Sequence, residues 1–188
     1  MSDDLILSVV VGSRAYGLDT GDSDTDRRGV FVAPTEAFWR LAKPVTHRDG
    51  PLPEQFSWEV ERFCSLALDA NPTVLECLWS PLTEVLTPEG ERLRELRGAF
   101  LSRRAHETFS GYADAQFRRL DPVAPKWKQA MHMIRLLLSG RHLVRHGEPL
   151  VQACRWGVVA GALAVRGIGA QDSYPDLPTL SHALQEMD

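Results

Sequence analysis

Short apolar runs separated by polar loops make up the first 60 residues, which is the pattern of a small β-sheet. Residues 5–11 (LILSVVV) are rich in β-branched side chains and predict a buried strand. Residues 28–32 (RGVFV) predict a second strand that ends before Pro34, and residues 55–58 predict a third. The polar residues 12–22 predict a loop with turns between the first two strands.

From Glu59 onward the apolar residues recur at helical spacing, so helices replace strands. Asn71-Pro72 ends the first of these helices, and Thr73 with Glu76 has the spacing of a capping box for the next. With a short helix before the third strand included, helices are predicted over residues 35–41, 59–70, 73–79, 91–99, 105–120, 127–145 and 151–165.

The proline-rich residues 81–88 are the predicted boundary between two parts of the chain. Residues 1–85 then form an α/β domain and residues 89–188 a mainly helical domain, so the predicted fold class is α+β. The tail after about residue 150 is rich in Ala, Gly and Val. We interpret that tail as a packing element or as a contact with a second copy, and the oligomeric state stays open.

The net charge of −4 is distributed unevenly along the chain. Residues 92–145 contain twelve Lys and Arg but four Asp and Glu, a net of +8, and the remaining residues carry −12. Such a basic segment indicates a surface facing an anion, such as a nucleotide or a nucleic acid, although solvated helix arginines have the same composition. The longest apolar run is too short to cross a bilayer, and the N-terminus, Met-Ser-Asp-Asp, lacks the basic region of a secretory signal, which predicts a cytoplasmic protein without a membrane partner.

The residues that suggest chemistry lie around the first loop. Asp24 and Asp26 are separated by one residue, and an extended backbone would place both carboxylates on one face of the sheet. Paired carboxylates are stabilised by a cation, and Mg²⁺ or Mn²⁺ would also bind phosphate oxygens. Gly12 and Ser13 follow the first strand, where a glycine permits close approach of the backbone to a phosphate.

These residues resemble the signature of the DNA polymerase β-type nucleotidyltransferases. The longer strings GSRAYG and DSDTDRRGVFV are similar to those of the members associated with RNA repair, and the resemblance extends over about residues 5–150. It implies a palm-like mixed sheet followed by a helical region, with Asp24 and Asp26 as metal ligands and Gly12 and Ser13 in contact with the nucleotide phosphates.

A third carboxylate is also implied by the resemblance, and two residues compete for that position. Glu54 precedes the third strand at about the position where the family has an acid, and Glu59 lies at the junction of that strand with the next helix. We favour Glu54 as the third catalytic and metal-binding carboxylate and keep Glu59 as the alternative. Either residue could instead be a surface acid or a charge at a helix N-terminus.

Two groups of basic residues are candidates for binding the nucleotide. Arg14 follows Ser13 directly, and its planar guanidinium suits a triphosphate. Lys128, His132 and Arg135 lie on one face of the predicted helix over 127–145, opposite an apolar side that includes Leu137. That stripe is a candidate for phosphate binding or, alternatively, a solvated surface. The tryptophans and Tyr16 are interpreted as packing residues first.

The sequence therefore predicts a metal-dependent transferase that moves a nucleoside monophosphate from an NTP such as ATP to a hydroxyl group. The acceptor would be an RNA end, a protein side chain or a small molecule. The alternative is a regulatory module that binds a nucleotide or RNA without turnover.

Overall fold

A computed structural model describes residues 4–16, 23–120 and 127–147, and within these ranges the side chains of residue 16 and residues 127–131 are left aside. The strands are β1 (Leu5–Val11), β2 (Asp26–Phe31), β3 (His47–Asp49), β4 (Gln55–Glu59) and β5 (Leu82–Leu86). The α-helices are α1 (Thr35–Phe38), α2 (Val60–Leu68), α3 (Pro72–Trp79), α4 (Pro88–Glu95), α5 (Arg104–Arg118) and α6 (Trp127–His146). Two 3₁₀ segments cover Arg14–Tyr16 and Leu96–Phe100.

The five strands of the described residues form one mixed sheet in the order β3-β4-β2-β1-β5. Only the β2–β4 pair is parallel, while β1–β2, β1–β5 and β3–β4 are antiparallel. The predicted α+β class and the palm-like mixed sheet are thereby confirmed. β1 lies inside the sheet with neighbours on both edges, which explains why its sequence is almost continuously apolar.

Helices α2 and α3 pack on this sheet through an apolar core. The Phe63 ring of α2 contacts the Trp58 ring of β4 at 6.0 Å between centroids, and Phe63 is fully buried. In α3 the apolar residues Val74, Leu75 and Leu78 are also fully buried. Burial of side chains of this size is the main source of stability for such a unit.

The N-cap of α3 differs from the one predicted. The side-chain oxygen of Asn71 accepts hydrogen bonds from the backbone N–H groups of Thr73 and Val74, and Pro72 occupies the first helical position. Asn71 is therefore the cap, and the predicted capping box of Thr73 and Glu76 is wrong. Asparagine at the cap followed by proline is a combination that helix starts favour.

Two strands lie where the sequence predicted loops or a linker. β3 falls within a polar stretch, and β5 falls within the proline-rich residues 81–88 and pairs with β1. α4 then packs on β1 so closely that a side chain at Gly90 would overlap the backbone carbonyl oxygen of Ile6. The proline-rich stretch is thus part of the sheet, because its two prolines flank the strand rather than interrupt it.

The chain divides into two compact units, Met1–Ala105 and His106–Asp188. The first holds the sheet and α1 to α4. In the described part of the second, α6 lies against α5 where a Cβ at Gly140 would be 2.8 Å from the Cβ of Phe109. The predicted domain limits, residues 1–85 and 89–188, stay a prediction, and the predicted helix over 151–165 lies outside the described residues.

The buried face of α6 is not the one predicted from the sequence. Its buried residues are Leu136, Ser139, Gly140 and Leu143, which recur at spacings of three and four. Leu137, which was placed on the apolar side, is 47% exposed.

Within the described residues, no helix is long and apolar enough to cross a membrane.

Candidate active site

The turn after β1 lies against the carboxylate that begins β2. Val11, the last residue of β1, pairs with Asp26 in the antiparallel register, and Gly12 follows with a φ of 71°. A Cβ at Gly12 would be 2.7 Å from Oδ2 of Asp26. Position 12 therefore requires glycine for two reasons. Its φ lies in the left-handed region, and the Asp26 carboxylate occupies the space that a side chain would need. Ser13 follows directly and is partly exposed.

Arg14 ties the residues after this turn to the segment before β2. Its Nη2 donates to the backbone oxygen of Ser23 at 2.8 Å, and its Nε donates to that of Asp24 at 3.3 Å. Asp24 itself is exposed and lies two residues before Asp26, ahead of the strand. The predicted phosphate-binding Arg14 thus holds the backbone that carries Asp24, while its contact with a nucleotide stays a prediction.

The two arginines after Asp26 have different partners. Nη2 of Arg28 lies 3.2 Å from Oδ1 of Asp26, and Nε of Arg27 lies 2.9 Å from Oε1 of Glu84 on β5. Of the two arginines, Arg28 is the one that pairs with an aspartate. Nη1 of Arg28 also donates to the backbone oxygens of Arg27 and Glu54, both at 2.8 Å.

The parallel register of β2 and β4 separates the two candidates for the third carboxylate. Gln55 pairs with Arg27, and the N–H of Arg27 donates to the carbonyl oxygen of Glu54 at 3.0 Å. The backbone of Glu54 is therefore level with Asp26, and its side chain is exposed. Glu59 pairs with Phe31 and follows Glu54 by five residues. The two glutamates are therefore about 16 Å apart along the strand, at the usual rise of a β-strand.

Glu59 has a structural task at that far end. Its side chain is 4% exposed and accepts a hydrogen bond from the N–H of Glu61 at 2.7 Å, so it is the N-cap of α2. A carboxylate is a strong cap because it also interacts favourably with the helix dipole. Of the two acids, the fold brings Glu54 to the Asp26 end of the sheet.

A profile of the RNA repair pathway DNA polymerase beta family matches residues 3–159. The chain belongs to this family. The family's description names an RNA repair pathway and DNA polymerase β, and polymerase β-like nucleotidyltransferases typically use divalent metals. Gly12 and Asp26, two of the residues on which the resemblance in sequence rests, lie close together in the structure.

A similar chain is the uncharacterized protein YcgL of Bacillus subtilis (strain 168), which is 27% identical over 150 residues. The aligned region covers 76% of this chain and 57% of YcgL. The chain therefore spans little more than half the length of that relative.

The acidic residues of this family member fit a hard divalent cation of the kind that binds with its substrate. The described residues contain no group of three His, Cys, Asp or Glu side chains arranged to hold a metal. Mg²⁺, however, is usually bound by one or two carboxylates together with substrate phosphates and water. Asp24 and Asp26, at the ends of one three-residue segment beside the Gly12 turn, match that donor set.

The thiols of the first unit are poor nucleophiles. Burial raises the pKa of the fully buried Cys77, and burial followed by the charge of Glu59 raises the pKa of the half-buried Cys64. Both groups therefore stay protonated near neutral pH, and thiolate is the reactive form of cysteine. Among the described cysteines, neither suits covalent catalysis.

The basic residues predicted on α6 lie in the second unit. His132 and Arg135 are both partly buried, and burial followed by the charge of Arg135 lowers the pKa of His132 to about 4. His132 is therefore neutral at pH 7, so the predicted stripe carries less positive charge than its sequence indicates. The side chain of Lys128 lies outside the described residues. The nucleotide-binding role of all three stays a prediction.

Sequence reasoning did not assign Arg28 to the site region. A signal for Arg28 was present, since residues two apart in a strand share a face and Asp26 and Arg28 are two apart. The cap role of Glu59 was one of the alternatives that the sequence left open, and Glu59, the last residue of β4, lies directly before α2.

Proposed function

We propose that this protein is a metal-dependent nucleotidyltransferase that transfers a nucleoside monophosphate from an NTP to a hydroxyl acceptor. The observation that carries the proposal is the contact between the Gly12 turn and the Asp26 carboxylate, where a Cβ would be 2.7 Å from Oδ2. Backbone that can approach a phosphate and a carboxylate that can hold a cation are thereby placed side by side. Family membership supports the same reaction class.

In this proposal Asp24 and Asp26 hold Mg²⁺ or Mn²⁺, and Gly12 and Ser13 contact the nucleotide phosphates. The bound cation supplies charge neutralisation for the phosphates and for the attacking oxygen. The acceptor oxygen forms a bond to the α-phosphorus, the bond from that phosphorus to the bridging oxygen breaks, and pyrophosphate leaves. The hydroxyl proton passes to a carboxylate or to water, so no covalent enzyme intermediate is needed.

We assign the third carboxylate to Glu54. Its backbone lies level with Asp26, its side chain is exposed, and its φ of 54° is unusual for a residue with a side chain. Strained backbone of this kind is concentrated at functional sites. Glu59 is buried and engaged as a helix cap, which leaves it without a free carboxylate at the site.

The test is transfer of label from each α-labelled NTP, with Mg²⁺ or Mn²⁺, to an RNA with a free 3′ hydroxyl or to the protein itself. We expect label transfer by the wild type and by Asp49→Asn, which makes the same change on an exposed residue of β3. We expect none from Asp26→Asn. Transfer by Asp26→Asn at the wild-type rate would contradict the assignment.

A second function is favoured by one observation, the ion pair with Arg28 that occupies one of the two carboxylate oxygens of Asp26. It is a regulatory module that binds a nucleotide or RNA without turnover. Saturable NTP binding by the wild type with no label transfer to any acceptor would support this second function over the first.

A further inference from the structure

The guanidinium of Arg28 bonds both to the Asp26 carboxylate and to the backbone of Glu54. Its Nη2 is 3.2 Å from Oδ1 of Asp26, and its Nη1 donates to the carbonyl oxygens of Arg27 and Glu54 at 2.8 Å each. The Arg28 side chain is 20% exposed, so the guanidinium is held largely away from water. A planar group with several donors suits such a multiple contact, whereas an ammonium does not.

These contacts determine how the Asp26 carboxylate is oriented. Oδ1 faces Arg28, and Oδ2 is the oxygen that lies over Gly12. The carboxylate is thus fixed with one oxygen toward a cation of the protein and the other toward the turn that we assign to the phosphates. A charge-assisted hydrogen bond is strong enough to select one such orientation.

The same guanidinium fixes the turn that carries Glu54. The carbonyl oxygen of Glu54 accepts from Arg28 as well as from the N–H of Arg27. Arg28 therefore links the Asp26 carboxylate to the backbone of Glu54, in addition to the ladder bond from Arg27. A change at Arg28 removes a contact of Asp26 and a contact of the turn that carries Glu54 at once.

We propose that Arg28 is a positioning residue of this site, which orients Asp26 and the Glu54 turn and acts as a cation that competes with a metal for Asp26. This proposal rests on the proposed function, because it assumes that Asp26 is a metal ligand. Its two parts act in opposite directions. The arginine lowers the affinity for a free divalent cation by repulsion, and it raises turnover by holding the geometry.

The first measurement uses Mn²⁺ alone as the probe, and the free-ion signal in electron paramagnetic resonance gives its dissociation constant. The second measures kcat and KM for nucleotide transfer. Arg28→Gln is expected to bind Mn²⁺ more tightly, by about tenfold for the loss of a nearby positive charge, while kcat falls at least about tenfold. KM for the NTP is expected to change little. Arg28→Lys keeps the charge, so its Mn²⁺ affinity is expected to stay near the wild type with kcat partly restored.

Arg27→Gln is the matched control. Arg27 is the neighbouring residue on the same strand, its side chain is 24% exposed, and it pairs with Glu84 instead of an aspartate of the site. We expect Mn²⁺ affinity and kcat of this variant to stay near the wild-type values. An equal effect of the two glutamine variants would overturn the role of Arg28, since any arginine removed from β2 would then act alike.

Three further outcomes separate this proposal from the proposed function. Tighter Mn²⁺ binding in Arg28→Gln alone, with no nucleotide transfer by the wild type, would support the contact with Asp26 and contradict the transferase. Weaker Mn²⁺ binding in Arg28→Gln, in step with a lower melting temperature, would make Arg28 purely structural and overturn the proposal. Absence of Mn²⁺ binding by the wild type, both without and with an NTP present, would overturn both.

Discussion

The two ends of the parallel β2–β4 pair carry similar residues and use them differently. At one end, which we call the site end, Asp26 is partly exposed and lies against the Gly12 turn, and Glu54, whose backbone is level with Asp26, is exposed. At the other, the cap end, Phe31 and Glu59 are buried. The acids at the site end are accessible to solvent and to ligands. At the cap end, the buried carboxylate of Glu59 accepts a hydrogen bond from the backbone N–H of Glu61.

The arginines of the two ends differ in the same way. Arg48 at the cap end makes two bonds to the Asp4 carboxylate, at 2.6 and 2.8 Å, and lies 4.0 Å above the Phe31 ring. That hydrogen bond raises the pKa of Arg48. Arg28 at the site end bonds a single oxygen of Asp26 and leaves the other toward the turn. In the Arg48–Asp4 pair both carboxylate oxygens are bound by the arginine. In the Arg28–Asp26 pair the arginine binds one oxygen, which leaves the second for a cation.

The largest expected effect is at the paired aspartates. Asp24→Asn and Asp26→Asn each remove a metal-binding charge, and we expect metal-dependent transfer to fall at least about a hundredfold with each. The fold should persist, because Asp24 is exposed and the Asp26–Arg28 ion pair is partly exposed to solvent, where such a pair contributes little to stability. Transfer rates and far-ultraviolet circular dichroism measure the two quantities. Wild-type transfer in either variant would remove that aspartate from the site end.

Gly12→Ala tests the contact that carries the proposed function. The new Cβ would be 2.7 Å from Oδ2 of Asp26, and a φ of 71° is unfavourable for alanine by about 1–2 kcal/mol. We expect transfer to fall at least about tenfold, since misplacement by about 1 Å has large effects on catalysis. Gly98→Ala is the control, because nothing lies within 4 Å of a Cβ there. A loss of transfer in both variants alike would count against the contact.

Glu54→Gln asks whether the exposed acid of the site end takes part in the reaction. We expect kcat to fall about tenfold or more, as for loss of a general base, with the free energy of unfolding unchanged. Glu36→Gln changes an exposed acid on α1 and should leave kcat as it is. If Glu54→Gln also retained the wild-type kcat, the third carboxylate would have to be sought elsewhere.

Glu59→Ala probes the cap end and has the smallest expected effect on function. Loss of the N-cap should lower the free energy of unfolding by about 1 kcal/mol, measured by denaturant titration. The kcat of the folded fraction should not change, because Glu59 is about 16 Å along the strand from the site end. A large fall in kcat without loss of stability would exchange the roles that we assign to Glu54 and Glu59.

Much of the sheet could be predicted because its signals are local. The β-branched residues of β1, the apolar end of β2 and the Gly12-Ser13 turn each depend on a few neighbouring residues, although β2 begins at Asp26, two residues before the predicted start. The helices α2, α3, α5 and α6 were predicted to within a few residues for the same reason. β3 and β5 were missed because short edge strands rich in polar residues and flanked by proline carry little periodicity.

By itself the sequence determined the class of the fold, the Asp24-Thr25-Asp26 segment and its family, because these depend on residue type and spacing. The tertiary structure decided which glutamate lies beside Asp26, since that choice follows from the register of two strands that lie 28 residues apart. It also decided that Arg27 pairs with Glu84, because that partner is supplied by β5, 57 residues further along the chain. Register and cross-strand pairing are properties of contacts between distant segments, and no local pattern encodes them.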